Sequence, residues 1–394
     1  MKQKEMVVVL DQQVLHKKNK ASFYFSKELT KYLLKELFLF FILSFLFFFF
    51  VFFVNQILLM AQDILKKRAP VADVIRLIVF SLPFVIAQAA PFATLVGFLM
   101  CLGKLVSDNE ILVIRASGFS YIALAIPVFS LGLLISIFSF AVNDYLLPMG
   151  SIAYNKLYNE IIFANPAIIM EPNSIKRTND AVLIVGDLND SIVSDLLIID
   201  KDSDSNTRII SSTKTKMLKP ESKSILIKLQ MNLPEIFSFD TKNLRNYNYS
   251  FGSKAIFHFF ADRIFPRTSG VNPREMTSYD LKKELNKVRE KNKDKRNYEL
   301  TVYEIEYYKK FSLPFGAFFF SLLALPLAFL FGKHNGQTIG LIIGVLLSVL
   351  YWALLIMGQT YGAQTSTNGF IVMWFPNAIM GLTGLILFLW LVKK

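Results

Sequence analysis

Residues 36–60 read ELFLFFILSFLFFFFVFFVNQILLM, and after Glu36 the next charged residue is Asp63. An α-helix rises about 1.5 Å per residue, so about 20 apolar residues cross the hydrocarbon of a bilayer. This run is long enough to do so. It lies too far from the N-terminus, and is too long, to be the apolar part of a cleavable signal. Five more such runs follow, at about 74–103, 119–143, 311–332, 337–360 and 370–392. The runs fall into two groups of three around a polar insert. The expected fold class is therefore an α-helical membrane protein with six transmembrane helices (3+3) and an inserted domain.

Composition agrees. The chain is 53% hydrophobic and 19% charged, yet the charges crowd into the N-terminus and the middle. Phe is heavily used (38 residues), with Phe47 to Phe50 in one run, which suits a lipid-facing helix. The single cysteine, Cys101, lies inside a span and excludes structural disulfides and a Cys-based metal site. His16, His258 and His334 are far apart in sequence and read as packing or capping groups. The net charge of +13 comes from basic residues that flank apolar spans. Anionic lipid headgroups are the partner this implies, and nucleic acid is not.

Lys and Arg in short flanks set the orientation. Lys2, Lys4, Lys17, Lys18, Lys20, Lys27, Lys31 and Lys35 precede the first span and put the N-terminus in the cytoplasm. Six spans return Lys393 and Lys394 to that side. The 104–118 loop and the Lys333–Gly336 turn are then cytoplasmic. The domains expected are a cytoplasmic segment 1–35, spans one to three over 36–143, an outer domain 144–300, and spans four to six over 301–394. Lys66, Lys67 and Arg68 break the charge rule at the outer end of the first span. They read either as interfacial anchors or as contacts for an anionic lipid substrate. Lys309 and Lys310 enter the fourth span from the same side.

Within the insert, Ala181–Val185, Leu196–Ile199, Arg208–Ile210, Ile225–Leu229 and Ala255–Phe260 are short apolar runs. Asp187–Ser191, Asp202–Asn206 and Lys219–Lys223 separate some of them as turns. That spacing predicts an antiparallel β domain, a sandwich or jelly roll. Thr277-Ser-Tyr-Asp-Leu reads as a helix start, and Tyr303 to Lys310 as a helix running into the fourth span.

Signatures of catalysis are missing. Gly97-Phe-Leu-Met-Cys-Leu-Gly103-Lys104-Leu105 has a superficial likeness to a phosphate loop, but its spacing is one residue too long and it lacks the Ser/Thr that holds magnesium. No nucleophile elbow, HExxH or pair of carboxylates falls within a span. The spans offer uncharged polar residues: Asn55, Gln56, Gln88 and Gln359. Gln88, between Pro83 and Pro91, reads as a hydrogen-bonding partner for a neighbouring helix. An enzyme is not expected, and no cofactor is bound by this chain.

The segment Ser107-Asp-Asn-Glu110-Ile-Leu-Val-Ile-Arg115-Ala-Ser-Gly118 is the most informative. Ser107 and Glu110 have the S-x-x-E spacing of a capping box. Ile111, Leu112 and Ile114 make one apolar side. Gly118 can take the left-handed conformation that ends a helix. A short cytoplasmic amphipathic helix results, either a plain linker or a coupling helix that docks on a cytosolic ATPase.

Pro91-Phe-Ala-Thr-Leu-Val-Gly97, then Leu102-Gly-Lys-Leu105, then Ser107 to Gly118 resembles the LptF/LptG permease family. The resemblance starts near Tyr32, covers the first three spans, and resumes at about Tyr303 through Pro314. Trp374-Phe-Pro-Asn377 also fits. Leu102-Gly-Lys-Leu105 and the ungapped run from Pro70 through Pro83 to Glu110 are closer to the F type than to the G type.

The resemblance implies a permease subunit of an ABC transporter that extracts lipopolysaccharide from the inner membrane. It implies a sister permease and two copies of an LptB-type cytosolic ATPase, which uses ATP and Mg. It also implies LptC/LptA-type periplasmic bridge proteins and a periplasmic β-jellyroll domain. Glu110 falls on the family's coupling-helix glutamate, within the coupling segment that holds Ser107, Asp108, Arg115 and Gly118. Lys66, Lys67 and Arg68 occupy the region that meets lipid phosphates in the family, and Lys309 and Lys310, which enter the fourth span from the same outer side, are further candidates for lipid contact. Two other readings compete. One is a scaffold that anchors the β domain, for which the cytosolic loop is dispensable. The other is a membrane enzyme acting on lipid, which lacks an acid–base set.

Overall fold

The computed structural model describes residues 27–64, 70–164, 172–177, 181–189, 192–201, 206–218, 225–240, 247–260, 272–292 and 296–393. Among these, six helices are long and apolar enough to cross a membrane. The first is α1 (Lys27–Ile64) and the second α2 (Val71–Ser107), followed by the short α3 (Glu110–Ala116). The third span is compound. It comprises α4 (Tyr121–Ala141), a π-helical segment Val142–Leu146 and α5 (Leu147–Ala164). After the β region come α6 (Ser278–Lys291), α7 (Tyr298–Phe331), α8 (Gly336–Thr365) and α9 (Gly369–Lys393).

The helices begin and end for local reasons. The Ser120 side chain accepts from Ala123 N and starts α4. Asn297 does the same for α7 through Leu300 N at 2.8 Å. Thr277 caps α6, its hydroxyl accepting from Asp280 N, as its sequence predicts. Pro83 and Pro91 lie inside α2 without ending it. Spanning helices tolerate proline because neighbouring helices re-satisfy the freed backbone. The helices overrun the expected spans at most ends, since hydropathy marks only the part that contacts hydrocarbon.

One compact unit comprises 1–62, 78–153 and 272–394. Its core draws on α1, α2, α4, α7, α8 and α9, with Leu37, Phe98, Leu102, Phe320 and Tyr351 buried. In this core α7 packs against α9 and α4. Gly336, Gly340, Gly344 and Ser348 are buried on one stripe of α8. Added Cβ atoms on the three glycines would strike α2 at Gly103, Leu99 and Val96. Small residues four apart let two spanning helices approach to backbone contact, where packing drives association in lipid. By contrast, α1 and α8 leave long apolar faces exposed, including Leu46, Phe50 and Leu58 on α1 and Leu346, Val349 and Met357 on α8.

The second unit comprises 63–77 and 154–271. Among the described residues it holds nine antiparallel strands: β1 (Ser174–Arg177), β2 (Ala181–Val185), β3 (Leu188–Asn189), β4 (Ile192–Lys201), β5 (Thr207–Leu218), β6 (Ile225–Asn232), β7 (Glu235–Phe239), β8 (Tyr247–Phe251) and β9 (Lys254–Phe260). The main path runs β1-β2-β4-β5-β6-β9. The sheet forks on one edge of β5. Residues 207–211 pair with β7, and 214–218 pair with β6. At the fork the Ser212 hydroxyl donates to the Asn232 carbonyl at 2.9 Å. Leu183, Val193, Leu196, Ile198, Leu229 and Met231 form the buried side. The β domain expected from turn spacing is present, with β1, β3, β7 and β8 in addition to the predicted strands.

Candidate functional site

The α3 region is built at the end of the helical unit where α2 stops. Helical bonding continues through Ser107, with Asp108 N donating to Lys104 O at 2.9 Å. Asn109 then takes a left-handed conformation (φ 60°) and turns the chain. The expected capping box does not form. Ser107 is already inside α2, so it cannot adopt the extended conformation that an N-cap requires. Glu110 is freed from capping, and its Oε2 accepts from the Tyr32 hydroxyl of α1 at 2.8 Å.

A seven-residue helix has little stability of its own, so contacts must hold it. Ile111 is buried and Ile114 packs partly against the core. The Arg115 guanidinium lies 3.7 Å from the Tyr121 ring centroid and also donates to the Tyr121 hydroxyl. Gly118 closes the turn at φ +93°, as its sequence predicts. One turn along α2, Lys104 pairs with Glu36 of α1 at 3.5 Å. Leu112 departs from the predicted apolar side. It is exposed, as is Val113. The structure thus gathers Ser107, Asp108, Glu110, Arg115 and Gly118 into one turn–helix–turn. Its inner side is anchored, and it presents two aliphatic side chains outward.

The other proposed site residues stand differently. Lys66, Lys67 and Arg68 lie outside the described residues. Lys310 of α7 is buried and faces inward. Its Nζ lies 3.9 Å from Asp144 Oδ1 and donates to the Asn143 carbonyl at 3.4 Å. Asp144 also accepts from Ser278 N at 2.6 Å and from the Ser278 hydroxyl at 2.9 Å, so it caps α6. A carboxylate at a helix N-terminus is favoured by the exposed N–H groups there. The π-helical segment aims Asn143 and Asp144 into this network.

Lys309 is partly exposed. It pairs with Glu306 at 3.3 Å and donates to Gln359 Oε1 at 3.4 Å. With Gln88, Arg274 and Lys310 it lines a cavity of about 30 Å³, room for one or two waters. Arg274 sits 4.1 Å from the Phe84 ring centroid. Burial pushes its pKa down from the ordinary arginine value, and Glu306 opposes that shift.

The helices that carry the expected spans also hold charged residues beyond the span bounds. Asp144 lies within the third long helical stretch, and Glu304 and Lys310 lie within α7. Glu304 is buried between Arg289 at 3.1 Å and Arg296 at 3.7 Å, and accepts from Gly369 N. Asp144 and Glu304 were missed because they flank the apolar windows, and Lys310 was singled out for the lipid rim, not for an internal pair. Their pairing across distant elements leaves no local pattern. All are bonded within the helical unit, where they hold helices together.

A comparison with curated proteins gave no match. A family comparison gave one, and it covers all six long helices and the β region between them without separating F from G types. Over residues 31–390 the sequence matches the Lipopolysaccharide export system permease LptF/LptG, and the chain belongs to that family.

Proposed function

We infer that the chain, as a member of this family, is a permease subunit of a lipopolysaccharide export system, with a permease partner. We propose that it works in an ABC transporter of the inner membrane, pairs with a sister LptF- or LptG-type permease, and draws its energy from two copies of a cytosolic LptB-type ATPase. The cargo is lipopolysaccharide or a similar large anionic lipid, passed to LptC/LptA-type bridge proteins. Both termini are cytoplasmic and the β domain is periplasmic. ATP and Mg act in the ATPase, not in this chain.

The observation that carries this reading is α3. It joins two spans, is anchored on its inner side, and presents Leu112 and Val113 outward beside Glu110. That is the form of a lever that a nucleotide-driven partner can push. The exposed faces of α1 and α8 supply an apolar wall for acyl chains and for the sister permease. Lys66, Lys67, Arg68 and Lys309 are proposed to meet lipid phosphates. Lys310, proposed with them from the sequence, is held by Asp144 inside the helical unit.

The test is Glu110→Ala or Glu110→Arg in the purified complex. Loss of ATPase association, or of lipid transfer with ATPase bound, is expected. Unchanged values of both remove the coupling assignment. For the outer rim, neutralising Lys66, Lys67 and Arg68 together should reduce photo-crosslinking to lipid. Undiminished crosslinks make them interfacial anchors only.

A further inference from the structure

A cleft of about 640 Å³ opens beside α3, at the end of the helical unit opposite the Asp144–Lys310 network. Its walls come from five places: the end of α2, α3 with the turn before it, the first residue of α4, the end of α7 with the turn after it, and the end of α9. Among the described residues two cations line it, Arg115 and Lys333, and no Asp or Glu does. Tyr121, Phe329 and Trp390 give it an aromatic side, and Leu330 and Leu391 an aliphatic one.

Charge selects the occupant. Two positive side chains without a lining acid favour an anion, and each basic residue near an anionic membrane surface adds about 1 kcal/mol of attraction. Arg115 is pre-ordered for this. Its guanidinium is stacked on Tyr121, and one Nη donates to that ring's hydroxyl. A guanidinium has about five N–H donors, so others remain for an acceptor. Among the described residues Lys333 makes no ion pair, and it is exposed.

Position selects the kind of anion. Tyr121 begins a spanning helix, Trp390 is near the end of another, and Lys333 follows a third. Aromatic and basic residues at span ends sit at headgroup depth. A soluble anion would not need the aliphatic wall of Leu330 and Leu391. An acyl chain would.

We propose that this cleft binds an anionic glycerophospholipid of the leaflet at the α3 end, with Arg115 and Lys333 holding its phosphate and Phe329, Leu330 and Leu391 receiving an acyl chain. Because Arg115 belongs to α3, the bound lipid ties the short helix to α7 and α9. It would therefore set how far α3 can move. The cargo and its leaflet play no part in this site, so the inference goes beyond the transport reading.

The experiment uses the full chain in nanodiscs, with Trp352→Phe and Trp374→Phe so that Trp390 alone reports. Phosphatidylcholine discs are doped with brominated phosphatidylglycerol or with brominated phosphatidylcholine, and quenching of Trp390 is titrated. The expected result is quenching at lower mole fraction by the anionic lipid. Lys333→Gln and Arg115→Gln should each reduce that preference about fivefold. Equal quenching by the two lipids, or a preference untouched by Lys333→Gln, overturns the proposal. So does an anionic preference abolished by bound ATPase in the nucleotide-free state, which would mark the cleft as a protein interface. The readout needs neither ATP nor cargo, so its failure leaves the coupling test of Glu110 standing, and the reverse holds.

Discussion

The Tyr32 hydroxyl donates to Glu110 Oε2 at 2.8 Å, joining the first turns of α1 to the start of α3 across 78 positions of sequence. Lys104 of α2 and Glu36 of α1, at 3.5 Å, tie α1 to the helix that leads into α3. The angle of α3 is therefore set by α1 as well as by its own turn residues.

Tyr32→Phe should loosen α3 without unfolding the bundle. The bond is exposed, and a net hydrogen bond contributes about 1 kcal/mol. The core beneath, Leu33 and Leu37, is untouched. Hydrogen exchange of residues 110–116 should quicken, with the melting temperature nearly unchanged. Exchange equal to wild type would mean that Ile111 and Arg115 alone hold the helix.

Lys310→Met should be among the most damaging single changes in α7. Removing one partner of a buried ion pair leaves an uncompensated charge, at a cost of about 3 kcal/mol or more. Asp144 would keep only its two bonds from Ser278. Adding Asp144→Asn removes that stranded charge while leaving a side-chain acceptor for Ser278. The double variant should then melt higher than Lys310→Met alone in the same detergent. If it melts lower, the pair is not held by charge.

What the sequence made legible follows from range. The six spans could be read because about 20 apolar residues suffice to cross a bilayer. Ala181–Val185 is a strand with the bounds its turn signals predict. Gly118 could be read because only its own backbone is involved. β8, Tyr-Asn-Tyr-Ser-Phe, escaped because it is exposed along its whole length and carries no aliphatic run. The S-x-x-E pattern misled because α2 runs on through Ser107, which a local motif cannot report. The Lys310–Asp144 and Arg289–Glu304 pairs depend on which helices meet, and no window of sequence contains that.

Gly336→Ala should destabilise the protein although alanine is the better helix former. A Cβ there would overlap the Gly103 carbonyl, which is backbone and cannot turn aside. Forcing extra volume into a packed contact costs about 1–3 kcal/mol, against a propensity gain of about 1 kcal/mol in a helix interior and less at a first residue. Gly358→Ala is the control. Its nearest neighbours are Val372 Cγ1 at 3.3 Å and Val372 O at 3.4 Å, which small shifts accommodate. Thermal unfolding should fall for Gly336→Ala and stay near wild type for Gly358→Ala. A fall of equal size in both would show that glycine flexibility, not helix proximity, matters.

Tyr351, Asn377 and Ser312 tie α8, α9 and α7 in the centre of the bundle. The fully buried Tyr351 hydroxyl donates to Asn377 Oδ1 at 2.9 Å, and Asn377 Nδ2 donates to the Ser312 carbonyl at 2.6 Å. Asn377→Leu strands the tyrosine hydroxyl, and Tyr351→Phe strands one acceptor of Asn377. Each should cost about 1–2 kcal/mol, within the range for an unmade buried hydrogen bond. Interhelical bonds inside membranes couple by about 0.6–1.7 kcal/mol, so the double variant should lose less than the sum by about that amount. The Ser312 carbonyl adds little to the difference, since its helix already supplies a donor four residues on. Denaturation of the two single variants and the double variant closes the cycle. Strictly additive losses would show that the Tyr351 hydroxyl and Asn377 stabilise the bundle independently, and no loss in Tyr351→Phe would leave the stabilisation to the ring contacts with Phe92 and Phe320.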